Sequence, residues 1–301
     1  PIPESRVGPI NRYILLKHLV ICLSSMELVL TETGDFKDIS HLYHFMELLF
    51  VGLIKLDKLG LTPSDITTIN IPHWPDPSWR GKGHPHNEWI LNTIFKNTEI
   101  VHKEFEDSEN TIVVDREQCD HGNVNKTWIK YIKYFDEWKW SRMIETPRSS
   151  SGTPVVTYIN RQGDPKGRCL PPAVHENVVN YLSKCSDIKF RNLKIENFKF
   201  EDQVNFMRET DILVGVHGNG LTHAAFMPPH SSVCEIFITG TEFHWDYYTL
   251  AKMMGHEYMC VFNSMPTPPY MFNNLKNIVC QTCDFDPCLL SGLIKQVKEE
   301  K

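Results

Sequence analysis

The chain lacks a long apolar run, a basic block and an internal repeat, and each absence excludes a class of protein. Its most apolar early segment, residues 14–30, is interrupted by Lys17, His18 and Glu27, so we predict no membrane span there. The same segment lacks the form of a signal peptide. A net charge of −6 without a Lys/Arg-rich stretch argues against a nucleic-acid binder. A chain of 301 residues, 41% of them apolar, can bury the core of one large or two ordinary domains.

Cysteine and acidic residues show no complete metal-binding pattern. The nine cysteines are odd in number and scattered, which is more typical of reduced thiols than of a disulfide framework. Cys280, Cys283 and Cys288 lie close together, but a fourth zinc ligand is missing, so a disulfide or free thiols fit them better. Asp284 and Asp286 form an Asp-x-Asp pattern only within this tail, away from a strand end. We therefore predict neither a metal nor another cofactor.

The second half of the chain alternates short apolar strands with helices. This β-α-β-α-β order predicts a parallel sheet with right-handed crossovers. The predicted strands are 155–160, 189–194, 212–216 and 232–238, and the predicted helices are 175–184 and 201–208. The first half is mixed, with predicted helices at 42–56 and 128–140, predicted strands at 67–71 and 112–114, and a polar linker at 148–154.

The run from residue 211 to 227 carries the strongest functional signal. An apolar strand stops at the sequence HGNG, residues 217–220, and the chain turns into a short apolar helix from about Leu221. Its two glycines allow close approach of another molecule to the backbone. A helix that begins at the end of a parallel strand suits a phosphate or pyrophosphate, and His217 and His223 add donors that could share the negative charge. The alternative is a tight turn whose glycines serve packing alone.

These residues also carry a family resemblance. The sequence VGVHGNGLTH at 214–223, followed by FMPP and VCEIF, resembles the signature of glycosyltransferase family 61. That family includes plant xylosyl- and arabinosyltransferases and animal O-linked N-acetylglucosaminyltransferases. The likeness extends to VTYINRQGDPKGR at 156–168 and, more weakly, to HLYHFME at 41–47, and it is strongest over residues 150–265.

The resemblance implies an α/β fold of the GT-B type, in which two Rossmann-like domains face a cleft. It also implies an inverting, metal-independent enzyme that uses a nucleotide sugar. We expect an acceptor-side Rossmann-like domain at 1–148 and a nucleotide-sugar-binding Rossmann-like domain at 149–280. The tail at 281–301 is expected to contain a helix that crosses back to the first domain.

Donor binding is expected on the second domain. When a glycosidic bond to a diphosphate breaks, fixed cations and helix N-termini can stabilise the growing negative charge in place of a metal. Arg161 and Arg168 follow one strand and could bind the pyrophosphate through bidentate hydrogen bonds, although two arginines in such a loop also fit a solvated turn. Lys194 is expected near a uracil ring and Glu235 on a ribose hydroxyl. The predicted donor-binding residues are Arg161, Arg168, Lys194, His217, Gly218, Asn219, Gly220, Leu221, Thr222 and Glu235.

An inverting transfer also needs a general base for the acceptor hydroxyl. His41, His44 and Glu47 are spaced three apart on a predicted helix and so lie near one face. The resemblance favours His44 and Glu47, because relatives carry a histidine followed closely by an acidic residue there. We predict Glu47 or His44 as the base. The alternative is a histidine and a glutamate that only hydrogen-bond the edge of a core.

The acceptor is expected to contact a loop in the first domain. This loop combines aromatic rings that can stack on sugars with cations that can bond hydroxyl groups, although a purely structural loop fits the same residues. The predicted acceptor-binding residues are Trp79, Arg80, His84 and His86. His84 and His86 lack further ligands at metal spacing.

The sequence thus predicts a glycosyltransferase that moves a sugar from a UDP-sugar to a hydroxyl of a glycan or glycoprotein acceptor, such as an N-glycan. Xylose is the first choice of sugar, and N-acetylglucosamine is the alternative. A non-catalytic module that binds nucleotide sugars or glycans would keep the turn and the arginines. A dinucleotide-dependent oxidoreductase fits less well, because the turn is not Gly-x-Gly-x-x-Gly.

No nucleic acid and no membrane span are expected for this chain. We expect a cytoplasmic enzyme, and the alternative is a lumenal Golgi or ER catalytic domain whose anchor has been removed.

Overall fold

Two parallel sheets organise the part of the chain that the computed structural model describes. The chain divides into two compact units, the first made of residues 1–40, 44–84 and 91–121 and the second of 41–43, 85–90 and 122–301. The described residues are 25–31, 41–72, 85–115, 134–146, 152–164, 167–238, 246–262 and 280–281. Among these residues no helix is both long enough and apolar enough to cross a bilayer.

The first sheet has four strands in the order β3-β2-β1-β4, and every neighbouring pair is parallel. The elements in chain order are β1 (Met26–Thr31), α1 (Leu42–Leu59), β2 (Ile66–Asn70), α2 (Pro85–Ile94), β3 (Glu99–Val101) and β4 (Thr111–Asp115). Gly52 of α1 faces the sheet, and a Cβ there would make ordinary van der Waals contact with side-chain atoms of Leu30 and Val114 at 3.7 Å. The predicted helix at 42–56 and the predicted strands at 67–71 and 112–114 are thereby confirmed within a few residues.

Strand β1 is a central strand that the sequence did not predict. Its residues Leu28, Val29 and Leu30 are all fully buried, as expected for a parallel strand covered on both faces. Such a strand has no period-two alternation, and it overlaps the interrupted apolar segment at 14–30.

The second sheet has six strands in the order β10-β9-β8-β7-β5-β6, again all parallel. Its strands are β5 (Val155–Ile159), β6 (Lys189–Leu193), β7 (Ile212–Val216), β8 (Ser232–Phe237), β9 (Glu257–Phe262) and β10 (Cys280–Gln281). Its helices are α3 (Glu137–Met143), α4 (Pro172–Lys184), α5 (Phe200–Arg208) and α6 (Asp246–Met253), with a 3-10 helix at Asn219–Phe226. The prediction of a Rossmann-like α/β protein with parallel strands is confirmed.

The order of these strands creates a topological switch point. Strand β5 pairs with β6 on one side and with β7 on the other. After β6 the chain crosses to the other side of β5 and adds β7, β8 and β9 there, so the switch point lies between β5 and β7. Apolar side chains of β5, β7, β8, β9 and α4 form one buried core cluster. Open parallel sheets bind ligands at the carboxyl ends of the strands beside such a switch point.

Two local predictions were wrong in detail. A helix was predicted at 128–140, but within the described residues α3 begins only at Glu137. The Asp136 carboxylate caps this helix by accepting a hydrogen bond from the Lys139 N–H at 2.7 Å. The helix expected from Leu221 is a 3-10 helix that already begins at Asn219. The first part of the helix predicted at 128–140, much of the linker and the crossover helix lie outside the described residues, so the domain boundaries remain predictions.

Candidate donor-binding site

The loops that follow β5 and β7 meet at the switch point. Ile159, the last residue of β5, is paired in register with Gly215 of β7. Arg161, two residues farther on, donates a hydrogen bond from Nη1 to the backbone carbonyl of His217 at 2.6 Å. The structure therefore brings together two predicted donor-binding residues that are 56 positions apart in the chain.

Gly218 packs directly against the guanidinium of Arg161. Its φ of 142° is unfavourable for other residues, and a Cβ at this position would lie 1.9 Å from Nη1 of Arg161. At Gly220 a Cβ would lie 3.1 Å from Cγ2 of Ile159. Both glycines therefore allow close packing within the protein, and they do not by themselves indicate a ligand.

Asp164 links the two predicted arginines. Its Oδ2 accepts hydrogen bonds from Nη2 of Arg161 at 2.6 Å and from Nε of Arg168 at 3.3 Å. The Arg161 side chain is 16% exposed, whereas that of Arg168 is 42% exposed. Burial lowers the pKa of Arg161, and the neighbouring Arg168 lowers it further. One carboxylate thus faces two guanidinium groups, so this corner of the sheet carries excess positive charge.

Sequence reasoning missed Asp164, although a signal was present. The carboxylate stands three residues after Arg161 and four residues before Arg168 in a loop rich in glycine and proline. An acidic residue between two candidate phosphate-binding arginines indicates a residue that holds them in place.

His217 is held by a buried carboxylate from the next strand. Nδ1 of His217 lies 2.5 Å from Oε1 of Glu235, and the other carboxylate oxygen accepts a hydrogen bond from the Tyr258 hydroxyl. The His217 ring also stacks on Phe237 with centroids 5.3 Å apart and meets the Tyr247 ring edge at 5.4 Å. The side chain of His217 is 14% exposed, and that of Glu235 is fully buried.

This geometry differs from the role predicted for Glu235. The sequence placed the Glu235 carboxylate on a ribose hydroxyl, but the structure places it behind His217 with both oxygens engaged by protein groups. Because the carboxylate is fully buried, a ribose hydroxyl could reach it only if the surrounding side chains moved. Tyr258 and Tyr247 were not predicted as part of the site.

The side chains of the 3-10 helix mostly build the turn itself. Oδ1 of Asn219 accepts hydrogen bonds from the Tyr43 N–H at 3.2 Å and from the Thr222 hydroxyl at 3.1 Å. Leu221 and Thr222 are buried in the core. A ligand at this turn would therefore meet the backbone N–H groups of Asn219 and Gly220, which have no partner within the helix.

His223 does not supply charge to the site. Its Nδ1 lies 2.9 Å from the Gly220 carbonyl and its Nε2 lies 2.7 Å from Oε1 of Gln203. Burial lowers the pKa of His223 from 6.5 to about 4, so the ring is neutral at neutral pH. The expectation that His223 shares a ligand's negative charge is wrong, because the ring ties the turn to α5.

Lys194 lies at the same edge of the sheet as the arginines. It follows β6, and the carbonyl of Leu193 accepts a hydrogen bond from the Asn160 N–H at 2.8 Å. Its side chain is exposed. Lys194 therefore lies at the carboxyl end of β6, one strand away from the switch point between β5 and β7.

The first unit contains the predicted base. On α1, Nδ1 of His44 lies 3.1 Å from Oε2 of Glu47. The side chain of Glu47 is 2% exposed and that of His44 is 17% exposed. The carboxylate is thus buried beneath the imidazole, which is the more accessible of the two groups.

Most of the predicted acceptor residues are not tested. Trp79, Arg80 and His84 lie outside the described residues. His86 lies in helix α2 and not in a loop, and its ring packs against Phe200 with centroids 5.7 Å apart. In the part of the chain that is described, no group of three or more His, Cys, Asp or Glu side chains could hold a metal ion.

Comparison with known proteins identifies the family. The model of the family described as Glycosyltransferase 61 matches residues 42–234, which is more than half of the chain. The chain belongs to the glycosyltransferase 61 family. The match includes the His44–Glu47 pair, the arginine loop and the 217–220 turn.

Two relatives illustrate the range of this family. Over 84 residues the chain is 34% identical to the EGF domain-specific O-linked N-acetylglucosamine transferase of Bos taurus, a match that covers 27% of this chain and 16% of that protein. Over 101 residues it is 32% identical to the beta-1,2-xylosyltransferase of Arabidopsis thaliana, which covers 33% of this chain and 18% of that protein. Each match spans less than a fifth of the relative's length.

A solved structure aligns over most of the chain but only loosely. A D-isomer specific 2-hydroxyacid dehydrogenase from Xanthobacter autotrophicus Py2 covers 92% of this chain and 98% of its own, at 9% identity and a TM-score of 0.28. A likeness at this level carries no argument about function.

Proposed function

We propose that this chain is the donor-binding and catalytic part of a metal-independent, inverting glycosyltransferase of the GT-B type. In this proposal a sugar moves from a UDP-sugar to a hydroxyl group of a glycan or glycoprotein acceptor. Membership of the glycosyltransferase 61 family supports the class of reaction. The observation that carries the proposal is the hydrogen bond between Arg161 and the His217 carbonyl, which joins two loops at the switch point of a parallel sheet.

The charges at this point suit a diphosphate. Arg161 and Arg168 share the single carboxylate of Asp164, so a bound anion would compensate the remaining positive charge. Arg168 is the more exposed of the two, and we expect its guanidinium to contact the diphosphate directly. Arg161 donates to the His217 carbonyl and to Asp164, so we expect it chiefly to position the turn.

Fixed cations would take the place of a metal in the reaction. As the bond between the anomeric carbon and the diphosphate breaks, negative charge grows on the leaving phosphate oxygens. Arg168, Lys194 and the backbone N–H groups of Asn219 and Gly220 lie at the edge of the sheet where we expect this charge. Groups that are already oriented stabilise it without reorganisation.

We assign the general base to His44 and not to Glu47. The acceptor hydroxyl attacks the anomeric carbon, and its proton passes to a side chain of the enzyme. Glu47 is buried and faces Nδ1 of His44, whereas the imidazole is partly exposed. In the proposed step Nε2 of His44, on the far side of the ring from Glu47, takes the proton. Glu47 orients the ring and stabilises the imidazolium, and the diphosphate leaves with the electron pair of the broken bond.

We propose two candidates for the donor sugar. The name of the plant relative supports xylose, our first choice, and the name of the bovine relative supports N-acetylglucosamine. Both would reach the protein as uridine diphosphate sugars with the same diphosphate. The proposed switch-point site recognises that shared part.

Calorimetry with UDP, GDP and NAD tests this proposal, with EDTA present throughout. We expect UDP to bind in EDTA, and we expect Arg168→Gln to weaken it roughly tenfold, because one charge-assisted hydrogen bond is lost. Arg142→Gln is the matched control, since it removes an exposed arginine from α3 of the same unit.

Failure of UDP to bind, or binding that appears only when a divalent metal is added, would contradict the proposal. UDP binding combined with no sugar transfer from UDP-xylose or UDP-N-acetylglucosamine to any acceptor in a glycan panel would support the non-catalytic binding module instead.

A further inference from the structure

A polar contact lies in the otherwise apolar layer between β5 and α4. Tyr158 of β5 is fully buried and belongs to the core cluster that also contains Val178 and Leu182 of α4. Its hydroxyl oxygen lies 3.2 Å from Nδ1 of His175, near the start of α4, and the two ring centroids are 5.7 Å apart. A phenylalanine would fill this position without a polar atom to satisfy, so the buried hydroxyl group needs an explanation.

The direction of this hydrogen bond follows from the protons available. Burial raises the pKa of Tyr158, and the nearby Cys169 thiol raises it further, so the hydroxyl keeps its proton at neutral pH. A sulfur atom such as that of Cys169 is a weak acceptor, whereas an unprotonated imidazole nitrogen is a strong one. We therefore assign the Tyr158 hydroxyl as the donor and Nδ1 of His175 as the acceptor.

The His175 ring is neutral at pH 7.5. Burial is the main cause that lowers its pKa from 6.5, while the Glu176 carboxylate raises it and the positive charge of Lys194 lowers it. A neutral imidazole carries one proton, and this proton lies on Nε2 because Nδ1 accepts from Tyr158. Nε2 is on the opposite side of the ring from Tyr158, and the side chain is only half-buried. His175 thus presents a fixed N–H donor away from the core.

His175 and Lys194 lie on the β6 side of the proposed diphosphate site. The arginine loop leads directly into α4, and Lys194 is the first residue after β6. The Asn160 N–H donates to the Leu193 carbonyl at 2.8 Å, so the ends of β5 and β6 are level. In doubly wound folds the phosphates lie at the first strand–helix turn, and the nucleoside extends toward the end of the second strand. The β5-α4-β6 unit therefore directs a nucleotide base toward His175 and Lys194.

Both of these side chains offer N–H donors to a ligand. A neutral imidazole protonated at Nε2 and an ammonium group present no acceptor on that side. Uracil carries a carbonyl oxygen at C4, where cytosine carries an amino group. A fixed donor that faces this position pairs with uracil, whereas with cytosine two donors would face each other. A site that is built around such a hydrogen bond rejects the base that cannot form it.

We infer that His175 is a specificity-determining residue whose Nε2–H donates to the 4-oxo group of uracil, and that Tyr158 is the positioning residue that fixes this tautomer. The inference rests on the proposed function. Lys194, which the sequence placed near the uracil ring, supplies a second donor on the same side. The protein thereby selects uridine over cytidine nucleotides, and the hydroxyl of Tyr158 has a role that phenylalanine could not fill.

Calorimetry of the full chain with UDP and CDP, in EDTA, tests this selection. We expect the wild-type protein to bind UDP more tightly than CDP by roughly tenfold or more. His175→Phe keeps an aromatic ring beside Tyr158 and should weaken UDP binding about tenfold while changing CDP binding less than about twofold. A purely structural role of His175 would weaken both nucleotides equally. Asn180→Ala is the matched control, because it changes an exposed polar residue of the same helix.

A second test is ¹⁵N NMR of the histidine rings in the chain without ligand. The His175 resonances are those that disappear in His175→Phe. We expect the Nε2-protonated tautomer in the wild-type protein at pH 7.5 and a larger share of the Nδ1-protonated form in Tyr158→Phe, in which Nδ1 has lost its donor. Tyr248→Phe is the matched control, because it removes a tyrosine hydroxyl from α6. An Nδ1-protonated His175 in the wild-type protein would overturn the inference whether or not UDP binds.

Equal affinity of the wild-type protein for UDP and CDP, or selectivity that survives in His175→Phe, would overturn the inference and leave the proposed function standing. Failure of UDP, UDP-xylose and UDP-N-acetylglucosamine to bind would overturn the proposed function, and the role of His175 in base recognition with it.

Discussion

The two units each contain a histidine whose Nδ1 faces a buried glutamate, yet the pairs are built differently. In the first unit His44 and Glu47 are three residues apart on one helix, and the two atoms are 3.1 Å apart. In the second unit His217 directly follows β7, Glu235 lies on the neighbouring strand β8, and Tyr258 on β9 completes the group. The first pair needs only a helix, whereas the second exists only once the sheet has formed.

This difference fits two separate roles. A pair on one helix keeps its geometry through helix periodicity alone, and its carboxylate can stabilise a positive charge that appears during proton transfer. A pair held by two further strands fixes a ring against the turn beside it. We propose the first pair for the proton of the acceptor and the second for the phosphate of the donor.

The largest expected effect separates the two pairs by kinetics. His44→Ala should lower kcat by roughly 10³-fold, about 4 kcal/mol, because the proton acceptor is lost. Glu47→Gln should lower it by about tenfold, since the ring keeps its place but loses its counter-charge. UDP affinity measured by calorimetry should change less than twofold in either variant, which is our expectation for a base that does not touch the nucleotide.

Lys58→Ala is the control, because it alters an exposed residue near the end of the same helix. A His44→Ala enzyme that keeps full kcat would remove this pair from the reaction.

The second effect concerns histidines of the second unit that are buried without a carboxylate. Burial lowers the pKa of His223 and of His256 from 6.5 to about 4. The unfolded chain therefore binds more protons than the folded one between these values, so their stability contribution is complete above pH 6.5 and is lost as pH falls toward 4. For each of these two histidines, the free energy of unfolding should fall by up to ~3 kcal/mol between pH 7 and pH 4.

Urea unfolding followed from pH 7 to pH 4 measures this loss. His223→Gln should flatten the pH dependence by the share of one histidine. An unchanged slope in His223→Gln would show that the folded state accommodates the charged ring.

The smallest expected effect tests how far the second pair depends on its turn. Gly218→Ala should weaken UDP binding by roughly tenfold and cost ~1–3 kcal/mol of stability, because the new Cβ collides with the Arg161 guanidinium. Gly163→Ala is the matched control, because Gly163 also has a positive φ of 89° but has nothing within 4 Å of the added Cβ. Equal losses of affinity in the two variants would mean that backbone strain, and not the contact with Arg161, is responsible.

The same contrast explains how much the sequence could predict. Strand β7 was predicted with the bounds found in the structure, 212–216, because a run of apolar residues ends at an abrupt HGNG turn. Helix α1 and the His44–Glu47 proximity follow from spacing alone. Membership of the family was likewise predicted from residues that are contiguous in the chain.

The surroundings of Glu235 could not be predicted in this way. The contacts of Glu235 with His217 and Tyr258 form because β7, β8 and β9 are neighbours in the sheet. No local sequence pattern predicts the order of strands in a sheet. A glutamate in an apolar strand is equally compatible with an exposed edge or a ligand contact. Only the burial of its carboxylate between two donors distinguishes a positioning residue from a ribose-binding one.

A crystal structure of the full chain with UDP, grown in EDTA, would test the placement of the donor most directly. We expect diphosphate oxygens within hydrogen-bonding distance of the Arg168 guanidinium and of the backbone N–H groups of Asn219 and Gly220. A diphosphate bound away from the ends of β5 and β7, or held by a metal ion, would contradict the proposed site.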